Sequence, residues 1–373
     1  MSFSETFRDP ALGSSRVLQR FASLLRPQEP AALEAMAHEA EQLTRQFFGR
    51  TMRLFAPLYL SNECVNICKY CGFSRDNPIL RVTLAVDQVE TEARHLYQQG
   101  FRNILLVAGE HPKFVSSDYL ARCVERLCTF IPAISLEVAP METSDYEPIV
   151  QAGAEGLVVY QETYDRPTYA ELHLAGPKKD FDWRLNCPER AYAAGFRRLG
   201  LGALFGLAPW EQEARSLAAH IDYLLRHCWK SSLTVSLPRI RPAAGEFLPR
   251  QEFSDRHLVQ VILALRLCFP QVGIVLSTRE NPVFRDRLVR LGVTLMSAGS
   301  HTEPGGYTGA GSESIHQTQR GRAIPILAPE GEQLVATQQF SIGDERSPAV
   351  MADRLRELGL EPVWKDWDTA LAP

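Results

Sequence analysis

Three cysteines fall within eight residues, Cys64-Val-Asn-Ile-Cys68-Lys-Tyr-Cys71, at C-x3-C-x2-C spacing. Three thiolates are one short of the four that an ordinary cubane iron–sulfur cluster or a structural zinc site uses. A cluster held by three cysteines leaves one iron with an open coordination position, and an open position marks a catalytic metal site. Tyr70 precedes the last cysteine, and Gly72-Phe73 follows it. Two other readings of the same residues are zinc, with His95 or His111 as fourth ligand, and three buried small hydrophobes. Cys123, Cys128, Cys187, Cys228 and Cys268 are scattered and read as packed free thiols.

Other chemistry-bearing residues follow short apolar runs. Gly109-Glu110 follows one of them, and its glycine suits either a plain turn or close approach to a ligand. Gln161-Glu162-Thr163-Tyr164, Arg239 with Arg241, Ser277-Thr278-Arg279-Glu280 and Ser297–His301 follow others. Arginine offers a rigid two-pronged donor for a carboxylate. Arg184, Arg239, Arg241 and Arg279 are therefore candidate anchors, against the alternative of surface ion pairs. The glycines of Leu199-Gly-Leu-Gly-Ala-Leu-Phe-Gly206, Gly202 among them, admit either a planar ligand or tight barrel packing.

The elements that must position these residues alternate. Strand-like runs are read at 53–60, 103–108, 133–138, 156–160, 196–201, 233–237, 272–276 and 293–296. Helices are read at 84–99, 117–130, 143–151, 183–194, 210–229, 254–268 and 281–290, and 161–182 reads as a long polar loop. Most runs are continuously apolar, as parallel strands covered on both faces require. The economical solution is an α/β fold, a (β/α)8 TIM-type barrel whose chemistry sits on the loops after the strands. Residues 1–50 read as a helical N-terminal extension, 51–300 as the barrel, and 301–373 as a C-terminal cap with a final helix at 347–358.

The chain has 373 residues, 45% hydrophobic and 23% charged, with a formal charge of −4. That balance gives no electrostatic case for nucleic acid. No apolar run approaches the roughly 18 residues of a membrane span. The start is polar and lacks a signal-peptide core. Clustered cysteines rather than a disulfide scaffold suit a reducing compartment, so a cytoplasmic location is expected.

The cysteine motif and its context resemble the radical S-adenosylmethionine (SAM) superfamily. Leu58–Cys64, Tyr160–Tyr164, Gly176–Arg184, Pro238–Pro242 and Leu276–Glu280 resemble its aromatic-amino-acid lyase branch. Met296–Ser300, Pro304–Tyr307, Gln339–Ser341 and Pro362–Asp368 are similar to the tyrosine-cleaving members. The resemblance implies a 4Fe-4S cluster on Cys64, Cys68 and Cys71, with SAM chelated at the open iron. It places Tyr70, Gly109, Glu110, Glu162, Arg184 and Gly202 on the cofactor side. Arg279, Ser297, Arg239 and Arg241 form the expected catalytic set, with Arg279 gripping the substrate carboxylate. The implied reaction breaks the Cα–Cβ bond of L-tyrosine, giving 2-iminoacetate and p-cresol, the former for the thiazole of thiamine. It implies a reducing electron donor and a thiazole synthase partner. A sibling lyase acting on tryptophan and a non-enzymatic iron–sulfur or zinc scaffold are the alternatives. A hydrogenase-maturation relative would carry further C-terminal cysteines, and none follows Cys268.

Overall fold

The apolar runs form strands that are covered on both faces, and eight of them close on themselves. The computed structural model describes residues 2–7, 15–319, 322–326 and 334–364. The barrel strands are β1 (Thr51–Ser61), β2 (Asn103–Ala108), β3 (Ala133–Glu137), β4 (Gly156–Glu162), β5 (Arg198–Ala203), β6 (Ser232–Ser236), β7 (Gly273–Leu276) and β8 (Leu295–Ser297). Each pairs in parallel with the next. β8 returns to β1 through Arg53↔Leu295 and Phe55↔Ser297, which closes the barrel.

Local chemistry sets the helix ends. Ser116, Ser254, Asn281 and Ser347 each cap a helix, the side chain accepting from a backbone N–H in the first turn. Gly195 takes the left-handed conformation that ends helix Cys187–Ala194. In the N-terminal region, helices Arg16–Leu24 and Pro30–Phe48 lie outside the barrel. Met36 and Ala40 pack on Leu263 and Leu267 of helix Asp255–Cys268. Phe3, fully buried, stacks on His220 with ring centroids 4.1 Å apart.

Two expectations are corrected. Residues 161–182 are not an irregular loop. They hold helix Arg166–Leu172, strand His173–Ala175 and a 3-10 turn at Pro177–Lys179. Asp165 caps the helix by accepting from Thr168 N at 2.9 Å, and the strand exists because Ile67–Cys68 pairs with it. The helix expected at 183–194 is two, Phe181–Leu185 and Cys187–Ala194. Helix Pro348–Glu357 forms as expected. It is followed by β9 (Glu361–Val363), which pairs with Thr51–Arg53 of β1. Residues 365–368 of the C-terminal motif lie outside the described residues.

The described part of the C-terminal region crosses the barrel mouth by backbone hydrogen bonds. Thr337 N donates to Leu80 O, Gln339 N to Thr302 O, Ser341 N to Pro242 O and Gly343 N to Thr278 O, at 2.7–3.0 Å.

Candidate active site

The cysteine loop leaves the end of β1 and is held by captured carbonyls. Arg81 is buried and donates to the carbonyls of Asn62, Phe73 and Ser74. Asn77 Nδ2 donates to the carbonyls of Cys71 and Gly72. Ser74 Oγ accepts from Cys68 N at 3.1 Å. The Tyr70 hydroxyl meets His173 Nε2 at 2.7 Å, and His173 Nδ1 meets Tyr169 O. Gly109 is required by protein packing: a Cβ there would stand 2.3 Å from Glu63 O and 3.3 Å from Cys64 Cβ. Its freedom lets β2 press against the loop, a different reason from ligand approach.

Cys64, Cys68 and Cys71 line one cavity with Asn66, Gly109, Glu110, Glu137, Tyr160, Glu162, Lys178, Arg184 and Gln339. All eight cysteines are free, and the other five lie outside this cavity. Burial pushes the Cys68 and Cys71 thiols up, so a bound metal must displace their protons. Among the described residues no three His, Cys, Asp or Glu side chains converge on a single ion. Neither His95 nor His111 lines the cavity. Three thiols spread around a shared space, with no fourth cysteine, fit a multi-iron cluster with an open position better than a single zinc ion.

The opposite wall is charged. Glu162 ends β4 at φ 70°, where the register with β5 shifts. A non-glycine residue in that region is uncommon and collects at functional sites. Lys178 Nζ donates to Glu162 Oε1 at 2.7 Å, and Arg184 lies 3.6 Å from the same oxygen. Removal from water pushes the Glu162 carboxyl up, but Lys178 and Arg184 outweigh this and hold it below its usual range. Arg184 Nε also donates to Tyr160 O at 2.7 Å. Glu110 Oε2 accepts from Asn66 Nδ2 at 2.6 Å, and Lys178 N donates to Asn66 Oδ1. Gly202 does not line this cavity. A Cβ there would meet the Tyr160 ring at 2.6 Å, so the glycine makes room for that ring.

A second cavity opens beside the first, deeper in the barrel. Phe55, Tyr59, Leu105, Val107, Tyr160, Ser236, Val275, Arg279, Ser297, Ser300 and Phe340 are among its walls. Arg279 stands over the Phe340 ring, 3.3 Å from the centroid, and its Nη1 reaches Arg239 O at 3.4 Å. Desolvation lowers the pKa of its guanidinium. Ser297 Oγ accepts from Thr278 N at 3.1 Å, tying β8 to the Arg279 loop. Ser300 Oγ is buried without a partner. Arg239 does not line this cavity. It is spent on Glu280, by two hydrogen bonds, and on Asp255 at 2.7 Å. Arg241 also binds Glu280, at 2.7 Å, but lines a third, adjoining cavity with Arg279 and Lys178.

Glu137, Tyr160 and Gln339 line all three cavities. Glu137 and Lys178 are ionisable groups at the centre of the site that were not singled out from sequence. The position of Glu137 as the last residue of β3 was the available signal. Gln339 and Phe340 come from the segment that crosses the mouth, and only a family motif marked them.

The chain matches two family models, the Radical SAM superfamily over residues 58–214 and the Biotin and Thiamin Synthesis associated domain over residues 236–361. It is 41% identical over 350 residues to a 2-iminoacetate synthase of Escherichia coli, covering 94% of this chain and 87% of that one. A Salmonella typhimurium 2-iminoacetate synthase is 40% identical over the same shares. Among solved structures, the FeFe-hydrogenase maturase HydG from Carboxydothermus hydrogenoformans superposes with a TM-score of 0.82 at 33% identity, covering 95% of this chain and 78% of that one. The closed barrel, the three-thiol cavity and these likenesses agree: the chain belongs to the 2-iminoacetate synthase family of the radical SAM superfamily.

Proposed function

We propose that this protein cleaves the Cα–Cβ bond of L-tyrosine, releasing p-cresol and 2-iminoacetate for the thiazole of thiamine. The observation that carries the reading is the adjacency of the two cavities. One gathers Cys64, Cys68 and Cys71, the other presents Arg279, and Glu137, Tyr160 and Gln339 stand where they meet. When bound, the 4Fe-4S cluster and SAM together supply a 5′-deoxyadenosyl radical able to take a hydrogen atom from the substrate amine.

The chain's own residues do the positioning. Cys64, Cys68 and Cys71 hold the cluster. Glu110, Glu162 and Arg184, with Lys178, line the SAM side and fix its charged groups, and Tyr70, held by His173, walls the adjoining third cavity. Gly109 and Gly202 serve by packing the cysteine loop and Tyr160. Arg279 takes the substrate carboxylate as a two-pronged donor. Ser297 braces the Arg279 loop, while Arg239 and Arg241 hold Glu280 beneath it. The segment 334–346 shuts the mouth, and keeping water and a stray radical apart is what such closure achieves. Residues 51–300 act as the catalytic barrel, the described residues of 1–50 as its helical extension and those of 301–373 as its cover.

Among the described residues no helix is long and apolar enough to cross a membrane. The reading is completed by a cytoplasmic location, a reducing electron donor and a thiazole synthase that takes the unstable imine directly. Nucleic acid plays no part in it. Anaerobic reconstitution with iron, sulfide, SAM, a reductant and tyrosine tests it, with products read by mass spectrometry. p-Cresol and 5′-deoxyadenosine in equal amounts are expected. Indole-derived products from tryptophan and none from tyrosine would replace the substrate.

A further inference from the structure

An amino acid carries a carboxylate and an ammonium on adjacent atoms. A site that reads both needs a cation and an anion side by side, each still free to bind. Arg279 and Glu137 meet that need. Both line the second cavity and the third. Each feels the other's charge, yet no salt bridge joins them among the described residues. The Glu137 side chain makes no hydrogen bond or ion pair there either, and its exposed part faces the cavities. Glu162, by contrast, is saturated by Lys178 and Arg184, and Glu280 by Arg239 and Arg241. Glu137 is thus the unengaged carboxylate where the cofactor and substrate cavities join.

The nitrogen must shed a proton before it sheds a hydrogen atom. Hydrogen removal from an ammonium would leave a radical cation with no lone pair to stabilise it, whereas a neutral amine gives a stabilised aminyl radical. We infer that Glu137 is the catalytic base that takes the proton from the substrate's α-ammonium group at this junction. The inference rests on the tyrosine-cleaving reading above. The step moves one proton from nitrogen to a Glu137 carboxylate oxygen: –NH3+ and –COO− become –NH2 and –COOH. No electrons change hands. Removal from water favours the neutral pair over the charged one.

The surroundings suit the role. Burial pushes the Glu137 carboxyl up to about 7, Arg279 opposes this and Glu162 adds to it. Cys64, Cys68, Cys71 and Glu110 share the first cavity with it, Glu280 the second and Arg241 the third; the groups whose charges act on it, or on which its charge acts, are Tyr59 of β1, Tyr160 and Glu162 of β4, Lys178 and Arg184 from the segment after β4, and Arg279 after β7. Burial holds both tyrosines neutral, and Glu162 and the three cations keep their charges through neutral pH. Glu137 is therefore the group among them that titrates near 7.

The test is calorimetry on cluster-loaded enzyme with SAM and no reductant. The titrants are L-tyrosine and its amine-free analogue 3-(4-hydroxyphenyl)propanoic acid. Glu137→Gln is expected to weaken tyrosine roughly tenfold or more at pH 8 and to leave the analogue within about twofold. Wild-type affinity for tyrosine should fall as pH drops below about 7, and that of the variant should stay flat. With reductant, the acid limb of kcat/KM for p-cresol should move in the variant from near 7 to the titration of the substrate's own amine. Equal weakening of both titrants, an unmoved acid limb, or loss of SAM binding in the absence of tyrosine would each overturn the role. Wild-type enzyme that binds tryptophan but not tyrosine would overturn the substrate reading and this role with it.

Discussion

The Tyr59 hydroxyl donates to Gln339 Oε1 at 2.7 Å, joining the first barrel strand to a segment near the far end of the chain. The other end of that amide, Gln339 Nε2, lies 4.0 Å from Cys71 Sγ. Its backbone carbonyl sits where a side chain on Gly72 would go, 2.3 Å from an added Cβ. Gly72→Ala must therefore displace the cover. It is expected to cost about 1–3 kcal/mol of stability, as overpacking does. Air-bleaching of the reconstituted cluster, followed by its visible absorbance, should be several times faster in the variant.

Replacing Cys64, Cys68 or Cys71 by alanine should abolish the brown chromophore and SAM cleavage. Cys123→Ala, far from the cavity, should keep both, with iron analysis as the check. Full iron content in Cys68→Ala would remove the cluster assignment.

Arg279→Ala should keep the cluster and some SAM cleavage but lose p-cresol. The loss of tyrosine binding is expected at about 2–5 kcal/mol, since the substrate carboxylate would be left without its partner. Equilibrium binding of tyrosine measures it. Arg239→Ala should act differently, lowering thermal stability more than tyrosine affinity, because its guanidinium already serves Glu280 and Asp255.

Glu280→Ala would leave Arg241 without its ion-pair partner and Arg239 with Asp255 alone. Allowing for the partial exposure of both arginines, a cost of about 2–3 kcal/mol is expected. Urea unfolding of the cluster-free chain gives the value. Unchanged unfolding would show that the network contributes little.

Arg285 and Asp344 form an ion pair with side chains 1% and 0% exposed. Burial pushes the Asp344 carboxyl up, but Arg346 and Arg285 outweigh it and bring it below its usual range. A carboxyl depressed in the folded state stabilises above its unfolded pKa, and that contribution fades as pH falls through the folded value. Asp344→Asn should therefore flatten the acid side of the stability profile below about pH 4. Urea midpoints between pH 3 and 7 test the sign: a variant as acid-labile as the parent would refute it.

The barrel was legible because period and punctuation agreed. Residues 104–108 are apolar on both faces and are followed by Gly109, so strand and loop could be read together. The cysteine loop was legible from spacing alone. Residues 161–182 were not, because their order is tertiary. The strand His173–Ala175 has no apolar run of its own and forms by pairing with the cysteine loop. Arg239 and Arg279 looked alike in sequence, and only the placement of Glu280 separates a structural cation from one facing the cavity. Gly109 and Gly202 each admitted two readings from sequence, room for a ligand or a purely structural role in a turn or in packing. Only three-dimensional neighbours supply the packing reason: Gly109 makes room for Glu63 while lining the cysteine cavity, and Gly202 makes room for Tyr160.

β1 is made early and finds its last partners late. Its neighbour β8 closes the barrel through Leu295, and β9 pairs with its first residues through Glu361–Val363. At roughly 5–20 residues per second of synthesis, the closing strand follows β1 by about 10–50 s. For that interval a nascent apolar strand has one edge bare, which is the condition for aggregation. The barrel's closure thus sets a demand on chaperones that has nothing to do with its chemistry. Chains stalled on the ribosome with Leu295 still in the exit tunnel are expected to bind a holdase, and chains with Val363 emerged are expected to be released from it.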